Sequence, residues 1–433
     1  MNSIWEQAEA LSPQIIAQRR DLHKFPETGW TEFRTACIVI KKLRQLGYIV
    51  HFGADVIDGS AMMGVPSEVS LRKYMQRALN EGADAELVEK MQGGKTGIVA
   101  VLDSGKVGKT IAFRFDMDAN DLDEAQDDKH LPYQEGFASR HEHAMHGCGH
   151  DGHVAVGLAV AELLAKHKDE LIGKVKLIFQ PAEEGVRGAY AMVKAGVVDD
   201  VDYFFSGHLG FAACEDDLLV TMTDGFLATT KMDAAFTGVA AHAGAAPEEG
   251  KNALLAAAQA AISLNTIARH SDGASRINVG VLHAGTGRNV VADKAFMQLE
   301  TRGATTKVND FMTQEAVRML QASAALYDVD VELTTTGAAS VCKADKAMAH
   351  ELAVLAEQKC HYGKILEHAD IGCSEDCAYF IDRVQERGGR AVYMMYGTEI
   401  AASHHNNYFN FHEDCLWKAA AFLVETAIHF SHK

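Results

Sequence analysis

The sequence predicts an α/β protein in which a mostly parallel sheet is interrupted by a smaller inserted domain. Short apolar runs alternate with helices or with loops rich in His, Asp and Gly, a pattern typical of a parallel sheet covered on both faces. Between residues 228 and 337 the runs instead expose one face. The length of 433 residues also exceeds that of a typical single domain.

The first part of the chain is predicted to be helical. Leu22 and Phe25 recur at helical spacing, and a turn at 26–29 breaks the pattern. A polar, helix-prone stretch from about 66 to 92 follows, and we interpret residues 60–95 as a helical insertion. Helices of the main domain are predicted at about 152–168 and 346–359. Its strands are predicted at 97–103, 110–116, 174–180, 202–208 and 390–397.

The inserted segment is predicted to be a ferredoxin-like sandwich, because its elements follow the order β-α-β-β-α-β. Met232, Ala234 and Phe236 alternate toward one face, as in a half-buried strand. The α/β pattern resumes after the segment, which indicates a discontinuous catalytic domain at 1–227 and 338–433 around an insert at 228–337. The insert's later elements are predicted at 251–269, 276–283, 295–302, 306–327 and 328–336.

Composition excludes several classes of partner. The 41 basic and 59 acidic residues give a formal charge of -18, which disfavours nucleic acid and anionic membranes. No secretory signal or membrane-spanning run is expected from the apolar stretches. The eight cysteines are scattered, so reduced thiols and a cytoplasmic location are predicted.

The densest chemical motif is MHGCGHDGH at 145–153. Its glycines permit tight turns that let several donors face one point. Cys148 and His150 lie two residues apart before a predicted helix, and a thiolate with an imidazole suits a borderline-soft divalent metal. A cysteine nucleophile at Cys148 is the alternative, although its partner base usually comes from across the fold.

Further polar residues follow the predicted strands, and the carboxyl ends of such strands converge on a ligand site. In QPAEEG, Glu184 suits a metal while Glu183 suits proton transfer from water. His208 ends another strand, and His404 follows the last one, although the adjacent His405 leaves the choice between the two histidines open. Cys148, His150, Glu184, His208 and His404 are five ligands, which suits two metals better than one open tetrahedral site.

Together, RFDMDA, MHGCGHDGH, QPAEEG, GHLG and SHHN resemble the aminoacylase and carboxypeptidase family of dinuclear metallopeptidases. The chain is similar to the amidohydrolase branch, where a Cys replaces the carboxylate that bridges the metals elsewhere. The resemblance implies two divalent ions, manganese or alternatively zinc or cobalt. It implies that Glu183 is the general base and that Asp116 orients a ligand. The five ligands that it implies are Cys148, His150, Glu184, His208 and His404.

The resemblance also implies roles for the inserted domain, which acts as a lid and dimerisation domain in such enzymes. His242 is expected to reach a neighbouring active site and polarise the scissile carbonyl, or else to cap its own loop. Asn289 and Arg302 are expected to bind substrate. The guanidinium of Arg302 would form a bidentate pair with a substrate carboxylate; the alternative is that it only pairs with Glu300. Ala292 stands where the branch usually has Pro, which puts the loop near Asn289 in question.

The implied activity is hydrolysis of an amide between an aromatic acyl group and an amino acid, with p-aminobenzoyl-glutamate as the first candidate. Cleavage would give p-aminobenzoate and glutamate. Indole-acetyl-aspartate, hippurate-like amides and other N-acyl amino acids are alternatives. A non-catalytic subunit of a heteromeric hydrolase is a competing hypothesis. A homodimer, or a heteromer with a related subunit, is expected.

Overall fold

The computed structural model describes residues 3–433, which form two compact units. Unit 1 comprises the chain up to Gly225, together with Cys342–Gly372 and Asp376–Lys433. Unit 2 comprises Phe226–Val341 and Cys373–Glu375. Unit 1 is therefore discontinuous in sequence, because unit 2 is inserted within it.

The α-helices of residues 3–433 are numbered in chain order. They are α1 Ile4–Lys24, α2 Phe33–Gln45, α3 Glu68–Asn80, α4 Ala85–Lys90, α5 Leu131–Gln134, α6 His150–Lys166, α7 Ala189–Lys194, α8 Ala253–Leu264, α9 Thr306–Leu326, α10 Lys346–Lys359, α11 Ala378–Glu386 and α12 Cys415–Ser431. The predicted insertion contains α3 and α4, which pack against α2.

The β-strands are numbered in the same way. They are β1 Ile49–Phe52, β2 Ile98–Asp103, β3 Thr110–Asp116, β4 Lys174–Gln180, β5 Tyr203–Leu209, β6 Leu218–Val220, β7 Thr223–Asp224, β8 Ala228–Thr237, β9 Ser275–Ala284, β10 Lys294–Gly303, β11 Asp330–Ala339, β12 Lys364–Leu366, β13 Ala369–Asp370 and β14 Arg390–Tyr396.

The main sheet of unit 1 has the strand order β1-β2-β4-β3-β5-β14-β6-β12. Its centre, β4-β3-β5-β14, is parallel. On one side β1 and β2 pair antiparallel, and β2 pairs antiparallel with β4. On the other side β6 is antiparallel to β14 and parallel to β12. The predicted strands form the parallel centre together with β2. The short strands β1, β6, β7, β12 and β13 were not predicted, and β1 lies at the end of the part of the chain that was predicted to be helical.

Helix α6 fixes the position of the MHGCGHDGH segment. All residues from His150 to Leu164 except Glu162 are buried, because the helix packs against α1, α12 and the sheet. A Cβ on Gly157 would lie 2.8 Å from atoms of both Phe115 and Phe179, so glycine permits the close approach of helix and sheet. The helix therefore begins with His150 at the carboxyl end of β3.

Unit 2 contains a four-stranded antiparallel sheet with the order β11-β8-β10-β9. Helices α8 and α9 pack against each other and against this sheet. Met232, Ala234 and Phe236 are buried in the core between the helices and the sheet, as their alternation predicts. The order of elements is the predicted β-α-β-β-α-β. A role as lid or dimerisation domain stays a prediction.

Among residues 3–433, no helix combines the length and the apolarity that crossing a membrane requires.

Candidate metal centre and active site

The polar residues that follow the central strands converge at one edge of the sheet in unit 1. Asp116 ends β3, and Glu183 and Glu184 follow β4. His208 lies within the last residues of β5, and His150 begins α6. Asp116, His150 and His208 are each at most 2% exposed. The convergence is that expected for the carboxyl ends of parallel strands.

Two groups of three candidate ligands share Cys148. One group is Cys148, His150 and His208, and the other is Cys148, Glu184 and His405; the ligand atoms within each group lie within 4.8 Å of one another. The Sγ atom of Cys148 is 3.4 Å from Nε2 of His208. The Oε1 atom of Glu184 is 3.2 Å from Nε2 of His405. A shared sulfur with imidazole and carboxylate donors suits borderline-soft divalent cations.

Hydrogen bonds to backbone carbonyls set the tautomers of two of these histidines. Nδ1 of His150 donates to the Asp118 carbonyl at 2.9 Å, and Nδ1 of His208 donates to the Leu209 carbonyl at 2.7 Å. When each ring is neutral, its Nε2 therefore carries the lone pair, the arrangement found in metal-binding histidines. Nε2 of His150 is buried and makes no hydrogen bond. Buried polar atoms normally have partners, so this atom fits a bound cation.

The electrostatics of the site favour a positive charge beside His150. Burial by itself lowers the pKa of His150, but the Asp116 and Asp118 carboxylates outweigh burial and raise this pKa to about 10. Burial, with His153 and His404 nearby, instead holds the pKa of His208 well below its ordinary value. Burial raises the pKa of Glu184, but His405 and His150 more than offset it and lower the pKa. The carboxylates of Asp116, Asp118 and Glu184 thus create a negative potential around His150. A bound metal cation would neutralise this negative charge.

Asp116 is fixed behind His150 by two donors. Nη1 of Arg114 donates to Asp116 Oδ2 at 2.7 Å, and His153 Nδ1 donates to Asp116 Oδ1. His153 carries its proton on Nδ1 because its Nε2 accepts the backbone N–H of Leu209 at 3.1 Å. Burial raises the pKa of Asp116, but His150, His153 and Arg114 lower it well below its ordinary value. Asp116 is thus a rigid carboxylate, 3.8 Å from His150 Nε2.

Two carboxylates hold the backbone of the loop that carries Glu183 and Glu184. The Ala182 N–H donates to Glu32 Oε1 at 2.8 Å. The N–H groups of Glu183 and Glu184 donate to the two carboxylate oxygens of Asp118, each at 2.9 Å. Ala182 has a φ of +51°, a conformation that non-glycine residues adopt only with support. The sequence motifs did not identify Glu32, since the two Glu residues of PETGWTEF follow no recognised spacing.

The structure does not bring His404 into either ligand group. Its Nε2 donates to the Leu209 carbonyl at 3.1 Å, and its ring stacks on Phe211 with centroids 4.1 Å apart. Burial lowers the pKa of His404 to about 4. His405 has a φ of +64°, and its backbone N–H donates to the Gly147 carbonyl at 2.8 Å. The geometry brings His405, and not His404, into a candidate group with Cys148 and Glu184, and the identity of the ligand stays a prediction.

Three predicted site residues lie in unit 2. His242 is exposed, and its Nδ1 accepts the N–H groups of Gly244 and Ala245, each at 3.1 Å. Asn289 is also exposed, and its carbonyl accepts the Ala243 N–H at 3.0 Å. Arg302 forms a forked pair with Glu300, at 2.9 and 3.2 Å. Both local alternatives, a capping His242 and an Arg302–Glu300 pair, are therefore present, and the substrate roles stay predictions.

The chain matches the family described as Peptidase family M20/M25/M40 over residues 112–429. It is 49% identical over 426 residues to indole-3-acetyl-aspartic acid hydrolase of Enterobacter agglomerans, covering 98% of each chain. It is 47% identical over 431 residues to a p-aminobenzoyl-glutamate hydrolase subunit of Escherichia coli (strain K12), covering 99% of each. A crystal structure of an aminobenzoyl-glutamate utilization protein from Klebsiella pneumoniae has a TM-score of 0.85 at 41% identity, covering 98% of this chain and 97% of that one.

The chain therefore belongs to peptidase family M20/M25/M40. It is a metal-dependent amidohydrolase. The predicted family resemblance and the predicted α/β fold class are confirmed by these matches.

Proposed function

We propose that this enzyme hydrolyses the amide between an aromatic acyl group and the amino group of glutamate or aspartate. The observation that carries the proposal is the pair of ligand groups sharing Cys148, with Glu183 beside them. Glu183 lies within 4.8 Å of both His150 and Glu184, measured between their candidate ligand atoms. A carboxylate beside a metal centre is the arrangement that metal-assisted hydrolysis needs.

The proposed metal centre would take two divalent ions, manganese first and zinc or cobalt as alternatives. Cys148, His150 and His208 would hold one ion, and Cys148, Glu184 and His405 would hold the other. When bound, such ions lower the pKa of water and polarise the scissile carbonyl. The buried Nε2 of His150, which makes no hydrogen bond, supports this assignment.

Glu183 is proposed as the general acid and base. It removes a proton from water as the oxygen adds to the amide carbon, and it returns that proton to nitrogen as the carbon–nitrogen bond breaks. Asp118 receives the Glu183 backbone N–H and so holds the base in place. In the same proposal His242 polarises the carbonyl, and Asn289 and Arg302 bind the substrate, with Arg302 on its carboxylate.

Two relatives with names that specify different substrates support the choice of substrate class. One is named for indole-3-acetyl-aspartate and the other for p-aminobenzoyl-glutamate. Each of these compounds joins an aromatic acyl group to an acidic amino acid. We place p-aminobenzoyl-glutamate first and indole-3-acetyl-aspartate second. Hippurate-like amides, in which the amino acid is glycine, are the alternative outside this class.

The test is a substrate panel on the purified, metal-loaded chain. Release of the free amino acid is measured from p-aminobenzoyl, indole-acetyl, benzoyl and acetyl conjugates of glutamate, aspartate and glycine. The proposal expects the aromatic conjugates of acidic amino acids to give the highest kcat/KM. Conjugates of neutral amino acids cleaved equally well would contradict it.

The same preparation tests the proposed assembly. One relative is named as part of a multi-chain hydrolase, so a homodimer and a heteromer with a related chain are both part of the proposal, as is a cytoplasmic enzyme. Activity of the chain on its own, at the mass of a homodimer by light scattering, would exclude an obligatory second chain.

A further inference from the structure

Hydrogen bonds connect the helical insertion at 60–95 directly to the loop that carries Glu183 and Glu184. There are two such hydrogen-bonded connections, or ties, and Arg187 makes the first. Its Nε donates to the Glu184 carbonyl at 2.8 Å, and its Nη1 donates to the Gly64 carbonyl at 3.2 Å. One guanidinium therefore joins the backbone of a proposed metal ligand to the backbone at the start of the insertion.

Trp30 makes a second tie between the same two segments. Its indole Nε1–H donates to the Met63 carbonyl at 2.7 Å, and its backbone N–H donates to Glu32 Oε1 at 3.0 Å. The same Glu32 oxygen accepts the Ala182 N–H, one residue before Glu183. The backbone at Met63 is thus connected to the base-bearing loop through two residues.

The absence of a side chain at Gly29 leaves the space that the guanidinium of Arg187 occupies. A Cβ on Gly29 would lie 2.3 Å from Nη2 of Arg187, closer than any real contact of that kind. Glycine at this position allows the guanidinium to lie flat against the backbone. Any larger residue would displace Arg187 from its two carbonyl partners.

The segment at 61–64 carries two methionine side chains. Met62 and Met63 are each only partly buried, so both keep accessible apolar surface. The proposed catalytic residues and metal ligands are carboxylates, imidazoles and a thiol. An aromatic acyl group needs apolar contact that those groups do not supply, and a methionine sulfur makes favourable contacts with aromatic rings.

We propose that residues 61–64 form a wall of the active site and that Met62 and Met63 contact the aromatic acyl group of the substrate. The inference rests on the proposed function, since it names the segment that contacts the acyl group of the proposed substrate. Met62 and Met63 are then residues that determine specificity, and Arg187 is a positioning residue that holds them beside Glu184.

The test compares p-aminobenzoyl-glutamate with acetyl-glutamate in the metal-loaded enzyme. Met62→Ala, Met63→Ala and the double variant are measured against wild type. The double variant is expected to lower kcat/KM for the aromatic substrate about tenfold and to leave the acetyl substrate within about twofold, because one lost apolar contact has effects of that order. Met75→Ala is the matched control, since Met75 lies in the same insertion but packs against the main core.

An equal loss with both substrates, or no loss with either, would overturn the proposal. Equilibrium binding of p-aminobenzoate to the same variants separates it from the proposed function. If wild type cleaves neither substrate but binds p-aminobenzoate, and the double variant binds it about tenfold more weakly, the wall stands and the hydrolytic assignment fails. Binding that is equal in wild type and double variant would refute the wall whatever the hydrolysis result.

The positioning role of Arg187 has a readout other than turnover. Arg187→Met should increase hydrogen exchange at residues 61–64 at least several-fold, because it removes the Gly64 tie. Gly29→Ala should give the same result without changing any charge. Unchanged exchange in both variants would show that the ties do not hold the segment, and would refute the positioning role.

Discussion

Nδ1 of His150 lies 2.9 Å from the backbone carbonyl oxygen of Asp118. The carbonyl only accepts hydrogen bonds, so the neutral ring of His150 carries its proton on Nδ1 and has its lone pair on Nε2. The side chain of Asp118 meanwhile receives the N–H groups of Glu183 and Glu184. Asp118 therefore fixes both a proposed ligand and the proposed base, and several predictions about the site depend on that coupling.

Metal content should distinguish His405 from His404. His405→Ala is expected to reduce bound metal from about two ions per chain to about one, because it removes a ligand from only one of the two sets. His404→Ala should retain about two ions. Elemental analysis after dialysis measures both. Loss of an ion from the His404 variant alone would restore the original expectation from sequence.

Cys148→Ala should have a larger effect than either histidine variant. The thiol belongs to both ligand groups, so its loss is expected to empty both positions and reduce turnover to background. Metal analysis and activity after adding excess manganese check the expectation. Full activity after chelation, in contrast, would favour a cysteine nucleophile over a metal centre.

Glu183→Gln should reduce kcat on the order of a hundredfold or more, as loss of a general base typically does. Metal content should stay unchanged, since Glu183 is not in either proposed ligand set. Glu184→Gln is the matched control, because it should lose both metal and activity. A Glu183→Gln enzyme with near-normal turnover would remove Glu183 from the mechanism.

Asp118→Asn should destabilise the fold by about 1–3 kcal/mol, since one of its two acceptors for the loop N–H groups becomes an N–H₂ group. Urea unfolding of the chelated protein measures the difference. Asp123→Asn is the control: its side chain is 65% exposed, so a change within about 0.5 kcal/mol is expected. Equal effects in the two variants would show that the loop does not depend on Asp118.

Glu124 lies in a buried cluster with His23 and His130. Its ionisation should make the free energy of unfolding depend on pH. Burial raises its pKa, but hydrogen bonds from His130 and His23 outweigh burial and lower the pKa from 4.5 to about 2. A carboxyl with a lowered pKa stabilises the folded state above its unfolded pKa. The contribution, on the order of 3 kcal/mol, is lost as pH falls from about 4.5 towards 2.

Glu124→Gln should therefore be less stable than wild type at pH near 7 and nearly equal to it at pH near 2. Chemical unfolding of the chelated proteins across this range gives the comparison. A stability difference that stays constant with pH would mean that the charge of Glu124 does not contribute, and that only its shape matters.

The sequence predicted the longer strands of both sheets and the helical insertion because each has a strong local pattern. The alternation of Met232, Ala234 and Phe236, for example, marks a strand with one buried face. The short strands β6, β7, β12 and β13 have two or three residues each. Runs of that length carry no measurable period, so only tertiary packing identifies them.

In the candidate site, too, residues in local motifs were predicted, whereas residues that depend on tertiary contacts were not. Cys148, His150 and Glu184 come from dense motifs whose local turns determine the geometry. The choice between His404 and His405 depends on a residue with positive φ, and adjacent identical side chains give no signal for it. Glu32 and Arg187 act through hydrogen bonds to residues at least 120 positions away along the chain, so no local pattern could reveal them.

The position of β14 has a consequence for synthesis of the chain. β14 pairs with β5 in the centre of the sheet, yet it begins roughly 180 residues after β5 ends. At about 5–20 residues per second, a ribosome needs roughly 10–40 s to make that interval. Throughout that time one backbone edge of β5 is without its neighbour. Nascent chains should therefore be most prone to misassociate during translation of unit 2, and slower translation there would lengthen the exposure.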